Sequence, residues 1–409
     1  MESETPPTPT GLAHVATVSF LASRAAPSAQ FWLALAGGVA LARAAAQAGL
    51  RVGYGASLAA MLQTVAIMGP ARVNAPLTQA LTAPMLGRLH RRGVGLPAQM
   101  IACFAIRIVH YAALTAFLIW IVLGGLDAYA GSYDAVTGWL GVLPEGERGA
   151  LLVTAIVNVG WAVFFSVVQV LVYRRALVRW PAAAEPGWHA VGAPGGEAER
   201  GPGRFDPRAI TLAAALAFGL LLSGTAWPLL AGVTVWLAVA WMVSRPDREA
   251  VPLGLALTAL LAVGALSGAL LAGLGVEEAL RRGSRAALLV LVATWLRAAA
   301  GPAGLRETFR RALWRVRRLP PAREAAGVLD RLDSGPRLVA AGRALAADLG
   351  PVEKRPLLIA DAVMRWVAAE AAGFRASSAR GRTRLAATPR DGLLVALAMA
   401  PALALLAHG

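Results

Sequence analysis

The sequence predicts an all-α fold: a polytopic integral membrane helical bundle that holds further amphipathic helices at its cytoplasmic face. Three observations predict it. Of 409 residues, 57% are hydrophobic and only 15% charged, whereas soluble domains run at about 45–50% apolar and about 25% charged. Six windows carry few or no charges: Met100–Leu123, Leu151–Val172, Ala209–Leu222, Trp227–Met242, Val251–Leu274 and Ala286–Leu296. A spanning helix needs about 20 apolar residues, fewer inside a bundle. These windows are also rich in Ala and Leu and lack the alternation of a barrel wall.

Charge supports the same reading. Lys and Arg number 39 against 23 Asp and Glu, a net +16, and Lys354 is the only lysine. A soluble chain so basic suggests nucleic acid. Here the basic residues stand mostly between apolar windows, as in cytoplasmic loops, so lipid rather than nucleic acid is the expected partner. Cys103 is alone, which excludes an internal disulfide and a thiolate metal cluster. Met1–Thr10 is acidic and Pro-rich, with no basic region ahead of an apolar core, so a cleaved signal is not expected.

The chain divides into segments. Residues 1–30 read as a partly disordered tail, weakly amphipathic from Gly11 to Arg24. Residues 31–179 form an N-terminal membrane module. Within it Phe31–Arg92 fits two or three spans, interrupted by Arg43, Arg51, Gln63 and Arg72, and Arg88, Arg91 and Arg92 mark a cytoplasmic loop. The acidic loop Asp127–Glu147 reads as external, and Leu151–Val172 returns to Arg174, Arg175 and Arg179. Residues 180–203 are a Pro/Gly-rich linker.

From 204 to 409 the windows give a hairpin across Ser223–Ala226, then two spans flanking Gly275–Arg285, and a last apolar run, Gly392–Leu406. Arg281, Arg282 and Arg285 fall outside in this count, against the positive-inside rule. Either that segment is interfacial or the span count is off by one. The insert 303–390 changes character. Leu305, Phe309, Leu313 and Val316 form one stripe among six arginines, and Pro320 and Pro321 stop that helix. Shorter helices follow at Arg323–Leu332, Pro336–Leu349 and Val352–Ala372, none able to span.

Chemistry of the usual kinds is missing from the pattern. There is no Gly-rich phosphate loop, no paired histidines at metal spacing and no nucleophile elbow. The chain reads as no enzyme, with no catalytic, cofactor-binding or metal residues. Arg107, His110 and Tyr111 lie mid-span on one helix face, with Asn158 and Gln169 in the opposing span. Two readings stand: an intramembrane polar site, or a snorkelling arginine beside interhelical hydrogen bonds. Asn74 and Gln79 flank a Pro-interrupted run that fits either a broken helix beside a site or a plain loop.

Order and spacing in the second half carry a resemblance. Phe205-Asp206-Pro207-Arg208 precedes the first span, Arg285 opens a later one, Pro302–Arg318 turns into a basic amphipathic helix, and Arg382-Thr383-Arg384-Leu385 with Asp391 precedes the last. From Arg204 to His408 this resembles the transmembrane coupling component of energy-coupling factor transporters, the membrane subunit of vitamin and cobalt/nickel uptake systems. The resemblance implies two cytoplasmic coupling helices ending in Ala-Arg-Gly, whose arginines dock on ABC-type ATPase subunits, and a substrate-binding membrane subunit as a further partner. By position the motifs fall at Ala347-Asp348-Leu349-Gly350 and Ala371-Ala372-Gly373-Phe374, neither of which holds the arginine. Ala379-Arg380-Gly381 follows later, so Arg375 and Arg380 stand as candidate coupling residues or as a solvated basic loop near headgroups.

The leading expectation is therefore a multi-pass subunit of the inner (plasma) membrane. It would couple ATP hydrolysis by separate subunits to uptake of a small solute. The alternatives are a non-transporting scaffold that binds anionic lipid or a protein partner, and a stand-alone secondary transporter.

Overall fold

The computed structural model describes residues 7–25, 30–70, 74–138, 141, 143–180, 205–244, 251–332, 335–349, 356–374 and 387–408. Among these every regular element is helical, and seven helices are long and apolar enough to cross a membrane. The chain is an all-α, multi-pass membrane protein. It forms two compact units, one from Met1–Arg107, Phe164–Gly201 and Arg306–Thr383, the other from Ile108–Val163, Pro202–Leu305 and Arg384–Gly409. The units do not follow chain order: most of the basic insert packs with the N-terminal helices.

In the first unit α1 (Pro9–Ala25) runs through the core, buried continuously from Thr10 to Ser23. Small residues and self-satisfied hydroxyls allow this burial: Thr17 donates to the Ala13 carbonyl at 2.9 Å and Ser23 to the Phe20 carbonyl at 2.8 Å. The amphipathic stripe expected over Gly11–Arg24 is thus a helix covered on all sides. Around it stand α2 (Gln30–Ala48) and α3 (Leu50–Met68) with α12 (Pro320–Arg331), α13 (Gly335–Leu349) and α14 (Pro356–Gly373). Helix α4 (Asn74–Arg91) packs on α2 and α3 and contains Pro84. Both α2 and α3 are apolar enough to span, yet 67% and 61% of their apolar windows are buried by protein.

Three helices contribute to both units. They are α5 (Leu96–Ala116, continued as π-helix over Phe117–Leu123), α7 (Gly146–Val178) and α11 (Gly275–Arg315). Helix α11 bends at Gly301, whose φ of 67° is left-handed, immediately before Pro302. This kink separates the apolar window ending at Leu296 from the basic stripe. The second unit adds α6 (Leu126–Thr137), α8 (Pro207–Ser223), α9 (Trp227–Ser244), α10 (Val251–Leu271) and α15 (Pro389–His408). Its surface is apolar where lipid would lie. Only 17% and 11% of the α5 and α7 windows are buried, and Trp120, Ile156, Val235 and Leu260 all stand exposed in this unit.

Arginines at the helix ends show a shared device. The last carbonyls of a helix lack intrahelical partners and carry the negative end of its dipole. Arg285 donates to the Leu221 carbonyl at 2.7 Å and to Leu222 at 3.4 Å, the end of α8. Arg282 reaches the Leu123 carbonyl, the end of the π-helix, and Glu278 at 2.8 Å. In the first unit Arg306 reaches the Leu329 carbonyl and, at 2.8 Å, Leu332 at the end of α12. Arg91 donates to Gln47 near the end of α2 at 3.0 Å. The arginines that broke the positive-inside count are therefore spent on helix ends and on Glu277 and Glu278.

Candidate functional site

Two polar constellations stand out, one in each unit. The first is built by α4, α5 and α7. Cys103 and Arg107 share a face of α5 at i, i+4, and Gln169 and Tyr173 share one of α7 at the same spacing. Gln169 is the hub. Its Oε1 accepts from Arg107 Nη2 at 2.5 Å and Cys103 Sγ at 3.4 Å, while its Nε2 donates to Thr82 Oγ1 at 2.7 Å. Thr82 passes its own proton to the Thr78 carbonyl at 2.7 Å. One turn along, Tyr173 donates to Gln79 Oε1 at 2.7 Å. The Arg107 guanidinium lies 5.6 Å from the Phe165 ring centre, a cation–π contact.

Arg107, Gln169, Gln79, Thr82 and Cys103 are all buried. A buried network of amide and hydroxyl dipoles around a guanidinium is stabilising only if each dipole is itself oriented. That orientation comes from Thr82 holding the Gln169 amide. Gly38 of α2 sits against the Tyr173 hydroxyl so closely that a Cβ there would clash with it. The helices therefore meet backbone to side chain at this site, as small residues allow between packed spans.

The other sequence candidates distribute as follows. Asn158 donates to Thr115 Oγ1 at 2.9 Å within the second unit. His110 and Tyr111 are partly exposed there, their rings 6.0 Å apart. Gln79 joins the cluster from a continuous helix, while the Asn74 side chain lies outside the described residues, as do Arg375, Arg380 and, Trp180 apart, the linker 180–203. Thr82 and Tyr173 were not singled out from sequence. Their position four residues from Thr78 and Gln169 was the available signal.

The second constellation joins segments far apart in the chain. Asp206 caps α8: its Oδ1 accepts the Arg208 amide at 2.8 Å, and its Oδ2 accepts Arg208 Nη2 at 2.7 Å. Pro207 follows at the first helical position, where a missing N–H costs nothing. The Asp206 amide in turn donates to Asp391 Oδ1 at 2.8 Å. Asp391 Oδ2 accepts the Thr388 amide at 2.6 Å and hydroxyl at 2.9 Å, the carboxylate half of a capping box at the start of α15. Both carboxylates are buried, and Gly304, just past the α11 kink, packs against Pro207. One carboxylate thus ties two helix N-termini beside the bend that leads into the basic stripe.

These features define a multi-pass, all-α membrane protein with a buried polar cluster and an acid-bridged helix junction. No family model, curated protein or solved structure matches the chain.

Proposed function

We propose that the chain is a membrane subunit of an energy-coupling-factor-type ABC importer in the inner (plasma) membrane. Separate ATPase subunits would drive uptake of a small solute of the vitamin or metal-ion class. One observation carries the reading. The two signatures that suggest the family, Phe205–Arg208 and Asp391, lie 185 residues apart and are joined by a direct hydrogen bond. The same junction receives Gly304 at the kink of α11, which supports a role for that bend in passing motion from the basic helices to the spans.

The test is purification of the tagged full-length chain from its native membrane in mild detergent, followed by reconstitution of whatever accompanies it. The expected result is a stoichiometric ATP-hydrolysing pair, with solute uptake into vesicles only when ATP is supplied. Uptake that runs without ATP and collapses with the ion gradient would make the chain a secondary transporter. Neither ATPase nor uptake would leave a scaffold.

A further inference from the structure

We infer that the turn Trp314–Pro320 is an interfacial anchor that binds anionic lipid headgroups. All seven residues are exposed. Trp314, Val316 and Leu319 are 39%, 48% and 62% accessible, and Arg315, Arg317 and Arg318 stand between them. The core side of this helix is already used, because Leu305 and Leu313 are buried. The outward residues are therefore not a frayed part of the core. Among the described residues Arg315, Arg317 and Arg318 form no ion pair, whereas Glu307 is held by Arg310 and Arg311 at 2.7 Å each.

The turn is firmly built. Val316 donates to the Ala312 carbonyl at 3.2 Å, Leu319 to Val316 at 2.9 Å and Ala322 to Leu319 at 3.0 Å. Leu319 occupies the N-cap of α12 and makes no side-chain cap. Ser, Thr, Asp or Asn is the usual choice there; leucine instead presents an exposed apolar tip. The basic rim also continues beyond the turn. Arg51 pairs with Glu324, one turn into α12, at 2.8 Å, and beside it Leu50 is exposed. Arg91 and Arg92 are exposed next to the α2 end that Arg91 caps.

Tryptophan and aliphatic tips interleaved with guanidiniums are the composition of an interfacial anchor, in which the tips enter the acyl boundary and the cations take phosphates. A protein partner would more usually be met by aromatic anchors gathered around a central pocket. In this turn apolar and basic residues alternate along the sequence, with no aromatic cluster to form such a pocket. The anchor does not depend on ATPase recruitment.

Cys103 is the only cysteine and is buried, so a single introduced cysteine reports its own position. The full chain carrying Leu319→Cys or Val316→Cys, labelled with an environment-sensitive fluorophore, is reconstituted in phosphatidylcholine vesicles with and without phosphatidylglycerol. Arg343→Cys, exposed on α13, is the aqueous control. Expected are blue-shifted emission at 316 and 319, quenching by bromine-labelled lipid, and a further increase with phosphatidylglycerol. Joint replacement of Arg315, Arg317 and Arg318 by Gln should cut the phosphatidylglycerol-dependent part about threefold or more. If that variant does not purify as a single species, the comparison of the two vesicle types at 316 and 319 decides alone. Emission as aqueous as at 343 in both vesicles overturns the anchor. So does a shift that requires an added peripheral protein.

Discussion

Asp391 Oδ1 accepts the backbone N–H of Asp206 at 2.8 Å, so the first helix of the second half is opened by the carboxylate that also opens the last. The bond uses a backbone donor that would otherwise be buried and unsatisfied, because Asp206 is 6% and Asp391 3% exposed. Asp391→Asn replaces one acceptor oxygen by an amide that must face a backbone N–H. The expected loss is about 1–3 kcal/mol, with Thr388→Val costing about 1 kcal/mol. Thermal unfolding of the detergent-solubilised chain measures both, and an Asn variant as stable as the parent refutes the bridge.

Arg285 supplies the end of α8 with two donors, to Leu221 and Leu222. Arg285→Ala should destabilise by about 1–2 kcal/mol through the orphaned carbonyls and the lost dipole interaction. Arg285→Lys should recover only part, since an ammonium lacks the planar fork that spans neighbouring oxygens. Equal stability of the Lys and Arg forms would mean that charge alone matters.

The Gln169 hub predicts coupling between Arg107 and Gln169. Gln169→Leu removes the acceptor of Arg107 Nη2 and the amide donor to Thr82, at a cost of about 1–3 kcal/mol. Arg107→Met in that background should cost less than it does alone, with an interaction energy of about 1–2 kcal/mol in the double-mutant cycle. Strict additivity, measured by the same unfolding assay, would show that the 2.5 Å contact is energetically idle.

Gly38 decides between two effects of opposite sign. Ala in a helix interior is favoured over Gly by about 1 kcal/mol. Here, however, the added Cβ meets the Tyr173 hydroxyl. Gly38→Ala should therefore destabilise, and Tyr173→Phe in the same chain should recover part of the loss by removing the oxygen, though it leaves Gln79 unpaired. A stabilising Gly38→Ala would show that α2 and α7 do not approach so closely.

Helix class and most boundaries were legible because hydropathy and proline position are local properties. Pro207 and Pro320 sit at helix starts as their missing N–H requires. What covers an apolar face was not legible. Residues 30–48 and 50–68 satisfy a span by composition, and the sequence does not say that α1, α4 and the insert helices bury most of them. Likewise Arg282 and Arg285 were ambiguous because helix C-termini capped by distant arginines leave no local pattern. Among the site residues, the spacing of Arg107 and Gln169 was visible, but Thr82 and Tyr173 depended on the path of α4, which Pro84 obscured.

Acid should loosen the first unit through His90. Burial holds its imidazole below the ordinary value of 6.5, and the nearby Arg174 and Arg43 guanidiniums add to the depression. Folding therefore favours the neutral ring. That contribution is fully present above the unfolded pKa, about 6.5. It is lost as pH falls below that value towards the lowered folded one, because the unfolded chain then binds a proton that the folded chain resists. His90→Asn removes the titrating group while keeping a polar side chain near Arg43 and Arg174. The expected outcome is a parent chain whose melting temperature falls between pH 7 and pH 5, and an Asn variant whose fall over the same interval is smaller. Parallel curves would place the acid sensitivity elsewhere, and a parent more stable at pH 5 would reverse the sign of the argument.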